Sequence, residues 1–212
     1  MKKNDIIKAI LDRDPAARTA LEVRLLYPGY KAVRNHRLAH WLYNKKLLFL
    51  ARWVADISRF FTLIEIHPGA KIGKGLFIDH GCGLVIGETA EIGDNVTIYQ
   101  GVTLGGTGKE HGKRHPTIGD NAVIGAGARV LGPFRVGKGA KIAAGAVVLD
   151  EVPDDATAVG VPARVVRVAG RKVALDHVHI PDPVAQELCK MRVHIERLEK
   201  RVRELEGGHE NI

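Results

Sequence analysis

Two cysteines in 212 residues, Cys82 and Cys189, stand far apart in unlike surroundings and offer no disulfide framework. Aromatic side chains are equally sparse, at 5% of the chain, and no aromatic-basic stacking motif, zinc finger or basic zipper is present. Long apolar runs are missing as well: the best, Leu47 to Ile57, is broken by Arg52 and Asp56 and is too short to span a bilayer. The amino-terminal stretch Met1-Lys2-Lys3-Asn4-Asp5 leads into Lys8, Asp12, Arg13 and Asp14 rather than a signal-peptide apolar segment. These absences predict a soluble, cytoplasmic protein. Positive charge is in surplus, with a formal +8 and a pI near 9.6. Without a nucleic-acid motif, that surplus suits a phosphorylated small-molecule partner better than a polynucleotide.

What the chain has is a repeat. Thirteen aliphatic residues recur at a six-residue interval: Ile66, Ile72 and Ile78; Ile86, Ile92, Ile98 and Leu104; Ile118, Ile124, Val130, Val136, Ile142 and Val148. A helix cannot hold that period on one face, whereas short strands joined by tight corners can. Each unit points one aliphatic residue inward, and stacked units bury a core that no single unit could bury. The next position is glycine seven times (Gly73, Gly87, Gly93, Gly105, Gly119, Gly125, Gly137), read here as relief of backbone strain at the corners. The fold class is therefore mainly β with α, a solenoid of parallel coils. Two steps break the count: eight residues from Ile78 to Ile86, and fourteen from Leu104 to Ile118. Polar chemistry on these irregularities is where function is expected.

Three regions follow. Residues 1–62 read as an N-terminal helical region, with helices ending near Asp14-Pro15 and covering Ala17–Leu26, Tyr30–His40 and Lys46–Phe61. Residues 63–168 hold the solenoid. Residues 169–212 form a connection, a C-terminal helix and a free tail. In that helix Val184, Leu188, Met191, Ile195, Leu198, Val202 and Leu205 alternate four and three residues apart, a heptad seam.

The first irregularity carries Asp79-His80, a histidine beside a carboxylate, the usual general base for a hydroxyl proton near neutral pH. Glu65, one corner series earlier, could orient its imidazole. The bland alternative is a surface turn. The second irregularity runs from Gly105-Gly106-Thr107-Gly108 to Arg114-His115. Its glycine-rich limb lets backbone amides approach an oxyanion or phosphate, and His115 is a second acid-base candidate, or else a solvated loop residue. Cys82 reads as a small packed thiol rather than a nucleophile. No metal site is expected, since carboxylate-flanked His80 and Arg114 suit an anionic organic substrate better than His80, His111 and His115 suit a metal ion.

These motifs resemble one family closely from about Asp12 to Arg167: Arg13-Asp14-Pro15-Ala16, Ile66-His67-Pro68, Asp79-His80-Gly81, Val102-Thr103-Leu104-Gly105-Gly106-Thr107-Gly108, Arg114-His115-Pro116 and Gly160-Val161-Pro162-Ala163-Arg164. The chain resembles the serine O-acetyltransferases of the hexapeptide-repeat superfamily. The resemblance implies a left-handed parallel β-helix, against the usual right-handed crossover, with active sites between subunits of a homotrimer or a dimer of trimers. It implies acetyl transfer from acetyl-CoA to L-serine in cysteine biosynthesis. His80 would take the hydroxyl proton and Glu65, where familiar members carry Asp, would hold His80. Asp14 and Asp79 would bind the serine ammonium and Arg114 its carboxylate, with His115 helping to place the substrate. Gly106, Thr107, Ala126, Ala144 and Arg164 would contact acetyl-CoA. It further implies cysteine as a feedback inhibitor and capture of Ile212 by O-acetylserine sulfhydrylase. Two other readings stay open on the residues: an acyltransferase for a sugar, homoserine or antibiotic hydroxyl, and a non-catalytic scaffold that holds the sulfhydrylase by its tail.

Overall fold

The thirteen aliphatic positions stack in register. In the computed structural model, which describes residues 4–108, 111–166, 191–199 and 201, Ile66 lies beside Ile86, then Leu104, Val130 and Val148, on one parallel sheet. Ile72, Ile92, Ile118 and Val136 stack on a second, and Ile78, Ile98, Ile124, Ile142 and Ala158 on a third. Most strands are only two residues long, so the chain walks around a three-sided prism and gains one strand spacing, ~4.8 Å, per coil. The columns are buried almost without exception and form one continuous core with Ala70, Ala90, Ala122, Ala128, Ala140 and Ala146. The long steps after Ile78 and Leu104 leave at corners, so they disturb neither register nor core. The last coil is short: Val152 follows Val148 after four residues and still bridges Val136. An antiparallel strand, Arg164–Val166, then closes the third sheet against Thr157–Val159.

The glycine reading needs a correction. None of the seven glycines that follow the aliphatic positions has a positive φ; the left-handed corners belong to a second set, including Gly83, Gly101, Gly127 and Gly145, and to Asn95 and Asn121. At Gly73, Gly93, Gly119, Gly125 and Gly137 the backbone of the next coil approaches too closely for a side chain, whereas Gly87 and Gly105 face the side chains of His115 and Leu131. A Cβ on Gly119 would fall 2.6 Å from the Lys138 nitrogen, and one on Gly125 2.6 Å from the Ala144 nitrogen.

Four helices cap the first coil: α1 (Asn4–Arg13), α2 (Ala20–Leu26), α3 (Pro28–Asn44) and α4 (Leu48–Thr62). Helix α2 starts later than expected because Thr19 caps it, its hydroxyl accepting from the Glu22 nitrogen at 3.1 Å. Helix α3 starts earlier, since Pro28 sits in its first turn, where its missing N–H is not needed, and it runs on to Asn44. Gly29 lets α3 lie on the solenoid: a Cβ there would be 2.9 Å from that of Ile78. Arg13 ties the end of α1 to the coils by donating to the carbonyls of Gly75, Asn95 and Val96 and to Thr97 Oγ1. Among the described residues no helix is long and apolar enough to cross a membrane. Residues 191–199 are helical; the rest of the expected seam (Val184, Leu188, Val202, Leu205), Cys189 and Ile212 lie outside the described residues.

Candidate active site

The polar residues singled out in the sequence fall on two different edges of the prism. On the edge between the third and first sheets, the two extra residues after Ile78 form a tight turn with His80 in the left-handed region at φ 56°. This turn pushes the imidazole outward, where its side chain is 76% exposed and its Nε2 lies 3.9 Å from Asp79 Oδ1. Arg13 carries Asp14 to the same neighbourhood. Tyr27 donates its hydroxyl to Asp14 Oδ2 at 2.7 Å, and Asp14 Oδ1 accepts from the Ala16 nitrogen at 2.8 Å. Burial, the Asp14 bond and the charges of Asp14, Glu22 and Asp79 push the Tyr27 hydroxyl up to about 12. Tyr99 is pushed up too, by burial and then by Asp79 and Asp14. Two carboxylates thus face one patch floored by two phenols, an environment suited to a cation.

Below His80 this edge is bare. Gly83, Gly101, Gly127 and Gly145 repeat at the same corner of successive coils, their N–H groups bonded to the carbonyls of Leu63, Cys82, Gln100 and Ala126 at 2.8–2.9 Å. All four have positive φ and are exposed. Ala126 and Ala144 add only methyl groups. The result is a track of exposed backbone flanked by Cys82, Gln100, Ala126 and Ala144, running from His80 to the last coil, where Ala163 bonds to the Val147 carbonyl and Arg164 stands exposed. Four coil steps make it roughly 19 Å long. Cys82 stands on it as a free, exposed thiol, not the packed one expected.

The edge between the first and second sheets holds Arg114 and His115, and here the polar side chains are tied down rather than open to solvent. The returning limb of the long loop is clamped by two residues that sequence reasoning missed, Glu88 and Thr89. Glu88 Oε2 accepts from Arg114 Nη2 at 2.5 Å while Tyr43 donates to Oε1 at 3.1 Å. These partners hold the Glu88 carboxyl below its usual range, the Arg114 bond foremost. Thr89 Oγ1 accepts from the backbone nitrogens of Arg114 at 3.0 Å and His115 at 3.1 Å. That leaves its own proton for His115 Nδ1, 2.9 Å away, which also accepts from the Thr89 nitrogen at 3.2 Å. With Nδ1 accepting, the neutral imidazole carries its proton on Nε2. Burial, Arg114 and Lys113 lower the affinity of His115 for a second proton, with Glu88 opposing them. Gly87 makes room for the ring: a Cβ there would overlap it. His67, which meets Tyr43 edge-on at 6.0 Å, is likewise lowered by burial, against Glu88.

Within one protomer the expected site residues stand apart in three places. Glu65 does not reach His80; its carboxylate faces Arg59 at 3.4 Å, because its strand points it outward from the first sheet toward α4. His80 and Arg114 occupy different edges and share no cleft. Gly106 touches the returning limb, where a Cβ would lie 3.0 Å from Arg114 Cγ, and Thr107 is exposed; neither joins the glycine track. No sequence signal marked Glu88 and Thr89, since their partners lie 25 to 45 residues away. Among the described residues no group of three or more His, Cys, Asp or Glu side chains could hold a metal ion.

The six-residue period and the three-sided parallel β-helix are what hexapeptide-repeat proteins share, and comparison with known proteins says which of them this chain resembles. The family described as Bacterial transferase hexapeptide (six repeats) matches residues 115–150. The chain is 56% identical over 212 residues to the serine acetyltransferase of Bacillus licheniformis, covering 99% of this chain and 98% of that one. Among solved structures, soybean serine acetyltransferase complexed with serine superposes with a TM-score of 0.76 at 48% identity, over 77% of this chain and 68% of that chain. A serine acetyltransferase in complex with cysteine superposes at 0.81 and 44%, over 85% and 70%. This chain belongs to the serine acetyltransferase family, and its solenoid is the left-handed parallel β-helix.

Proposed function

We propose that this protein is a serine O-acetyltransferase, moving acetyl from acetyl-CoA to the hydroxyl of L-serine and releasing CoA. The observation that carries this is the 56% identity to a serine acetyltransferase over nearly the whole chain, with Asp79-His80 and Arg114-His115 both present on surface-facing edges. The cysteine-biosynthetic role follows from the product, O-acetyl-L-serine.

In the reaction His80 Nε2 takes the serine hydroxyl proton as Oγ attacks the thioester carbonyl. The tetrahedral adduct then collapses, the C–S bond breaks, and the imidazolium returns its proton to the departing thiolate. Asp14 and Asp79 hold the ammonium, and Arg114 with His115 holds the carboxylate. Backbone amides near Gly106 and Thr107 are suited to the oxyanion. The glycine track with Ala126 and Ala144 takes the pantetheine arm, and Arg164 the CoA phosphates. The separation of His80 from Arg114 within one protomer supports sites completed by a neighbouring subunit, hence a homotrimer or a dimer of trimers. In such an assembly Glu65 orients His80 once it leaves Arg59. Cysteine, matching serine in its ammonium and carboxylate, competes at the same groups. The tail ending in Ile212 is the segment for O-acetylserine sulfhydrylase, and the cytoplasm is the compartment. The regions 1–62, 63–168 and 169–212 divide this work into cap, catalysis and tail.

The deciding experiment measures CoA thiol release with serine, homoserine, a sugar and no acceptor. Serine should exceed homoserine, one methylene longer, by about 10–200-fold, and a sugar, which lacks the ammonium and carboxylate, by ~10⁴-fold or more. Equal rates with every alcohol, or none with serine, would refute the assignment.

A further inference from the structure

Two phenols bracket helix α3. Tyr27 is its N-cap and Tyr43 lies in its last turn, so the rise along the helix sets them roughly 24 Å apart. The helix is fixed on the solenoid along that length. Gly29 lies against Ile78, Ala32, Val33 and Ala39 are buried, and His40 donates Nδ1–H to the Pro68 carbonyl at 2.7 Å. One hydroxyl is thereby held beside the open edge and the other beside the clamped edge. Each goes to a carboxylate that has a second donor on its other oxygen. Asp14 Oδ2 accepts from the Tyr27 hydroxyl at 2.7 Å and Oδ1 from the Ala16 nitrogen at 2.8 Å. Glu88 Oε1 accepts from the Tyr43 hydroxyl at 3.1 Å while Oε2 accepts from Arg114 Nη2.

A carboxylate gripped at both oxygens cannot turn about its last torsion, yet each oxygen has a second acceptor position. Asp14 therefore presents its lone pairs to a cation in one orientation. Glu88 in turn holds the Arg114 guanidinium in place through one of its nitrogens. Burial foremost, and then the carboxylate bond, raises both phenols, so both remain donors at neutral pH. We infer that Tyr27 and Tyr43 are positioning residues for the acceptor substrate. Tyr27 acts through Asp14 on the ammonium end, and Tyr43 acts through Glu88 and Arg114 on the carboxylate end. This rests on the roles proposed above for Asp14 and Arg114. Where a neighbouring subunit completes each site, the site takes its Tyr27 from one subunit and its Tyr43 from the next.

The test is serine kinetics on the full-length chain with Tyr27→Phe, Tyr43→Phe and the double variant, beside the parent. Each single change deletes one oxygen and keeps the ring, including the edge-on packing of Tyr43 against His67. The serine KM should rise about three- to tenfold in each, the scale of ordering one side chain on binding. The two factors should multiply in the double variant, because the phenols act on opposite ends of the substrate. The kcat and the acetyl-CoA KM should stay at the parent's values, since binding is lost equally before and at the transition state. An unchanged serine KM overturns the role of that phenol. A fall in kcat or a rise in the acetyl-CoA KM would mean that α3 has merely shifted, and overturns it as well. The route through the carboxylate is read in Glu88→Ala, where adding Tyr43→Phe should change the serine KM no further; a multiplied loss overturns that route. No thiol release by the parent with serine refutes the acetyltransferase reading and this inference with it, whereas an active parent with unaffected variants refutes this inference alone.

Discussion

His80 stands on a two-residue bulge with its ring in solvent, above a column of exposed glycine corners, Gly83, Gly101, Gly127 and Gly145. Arg114 and His115, one edge away on the same prism, are bonded to Glu88 and Thr89 and, for His115, buried. The repeat generates both edges from the same six-residue rule; insertions of different length make them differ. A short insertion leaves the backbone bare and one side chain exposed, where it can reach a diffusing partner. A long insertion folds back on the prism and can lock a binding group in place before substrate arrives, so that little orientation entropy is left to lose. Neither edge alone can run the reaction, and each should respond to mutation in its own way.

The largest effect belongs to the open edge. His80→Asn keeps a residue that tolerates left-handed backbone and removes the proton acceptor. Turnover should fall ~10²–10⁴-fold, while the thermal midpoint stays near that of the parent because the side chain is exposed. Thiol release and thermal unfolding on the same preparation check both halves. A variant that loses stability along with activity would mean that the open edge is more structural than its exposure implies.

On the clamped edge a single methyl group should act differently. Gly87→Ala drives a Cβ into the His115 ring, and overpacking of this kind costs about 1–3 kcal/mol. Displacing His115 also loosens the Thr89 bonds that fix Arg114. The expected result is a lower unfolding midpoint together with a kcat/KM for serine reduced about tenfold or more, in contrast to the stability-neutral loss at His80. Serine kinetics at saturating acetyl-CoA separate the two patterns. A smaller effect is expected on the glycine track. Gly127→Asn fits the φ of 68° and meets no neighbour within 4 Å, so it should fold normally and raise the KM for acetyl-CoA roughly three- to tenfold, the scale of about 1 kcal/mol. An unchanged KM would remove the track from the acetyl-CoA path.

The contrast also marks what could be read from sequence. The period of six located the columns from Ile66 to Val148, because each inward residue has an identical job in every coil. It also flagged both insertions, and so the positions of His80 and Arg114. It did not reveal why Gly119 or Gly125 must be glycine, since close approach of the next coil is a property of the stack. Nor could it reveal Glu88 and Thr89, which look like any other corner until the loop returns to them. The Val148-to-Val152 step was hidden for a related reason: only the Val136 bridge shows that a four-residue step still completes a coil. Glu65 was placed in the right coil, but its partner in the protomer, Arg59, comes from a helix whose approach no local pattern encodes.

The smallest effect near neutral pH concerns what lies beneath the clamped edge. His36 in α3 is buried, its Nδ1 has no hydrogen-bond partner, and its ring sits 5.6 Å from that of His40, which donates Nδ1–H to the Pro68 carbonyl at 2.7 Å. Burial first, then the His40 charge, hold His36 down to about 3; His67 and Arg37 add to this and the Ala70 backbone opposes it. The folded state therefore keeps His36 neutral where the unfolded chain, with an ordinary value of 6.5, takes up a proton. Stability from this group is fully present above about pH 6.5 and is lost as pH falls from there toward about 3, by at most about 1.4 kcal/mol per pH unit. The lowered Glu88 carboxyl also loses stability on acidification, but only as pH drops through the carboxylate range, so roughly pH 5 to 6.5 leaves the histidines; His67 and His115, also lowered by burial, contribute there to parent and variant alike, and the difference between the two reports His36. Unfolding midpoints across that interval should fall more steeply for the parent than for His36→Leu, which fills similar space without titrating. Parallel slopes would mean that water or the His40 ring relieves the buried imidazole, and that the clamped edge rests on a less acid-sensitive floor than its geometry indicates.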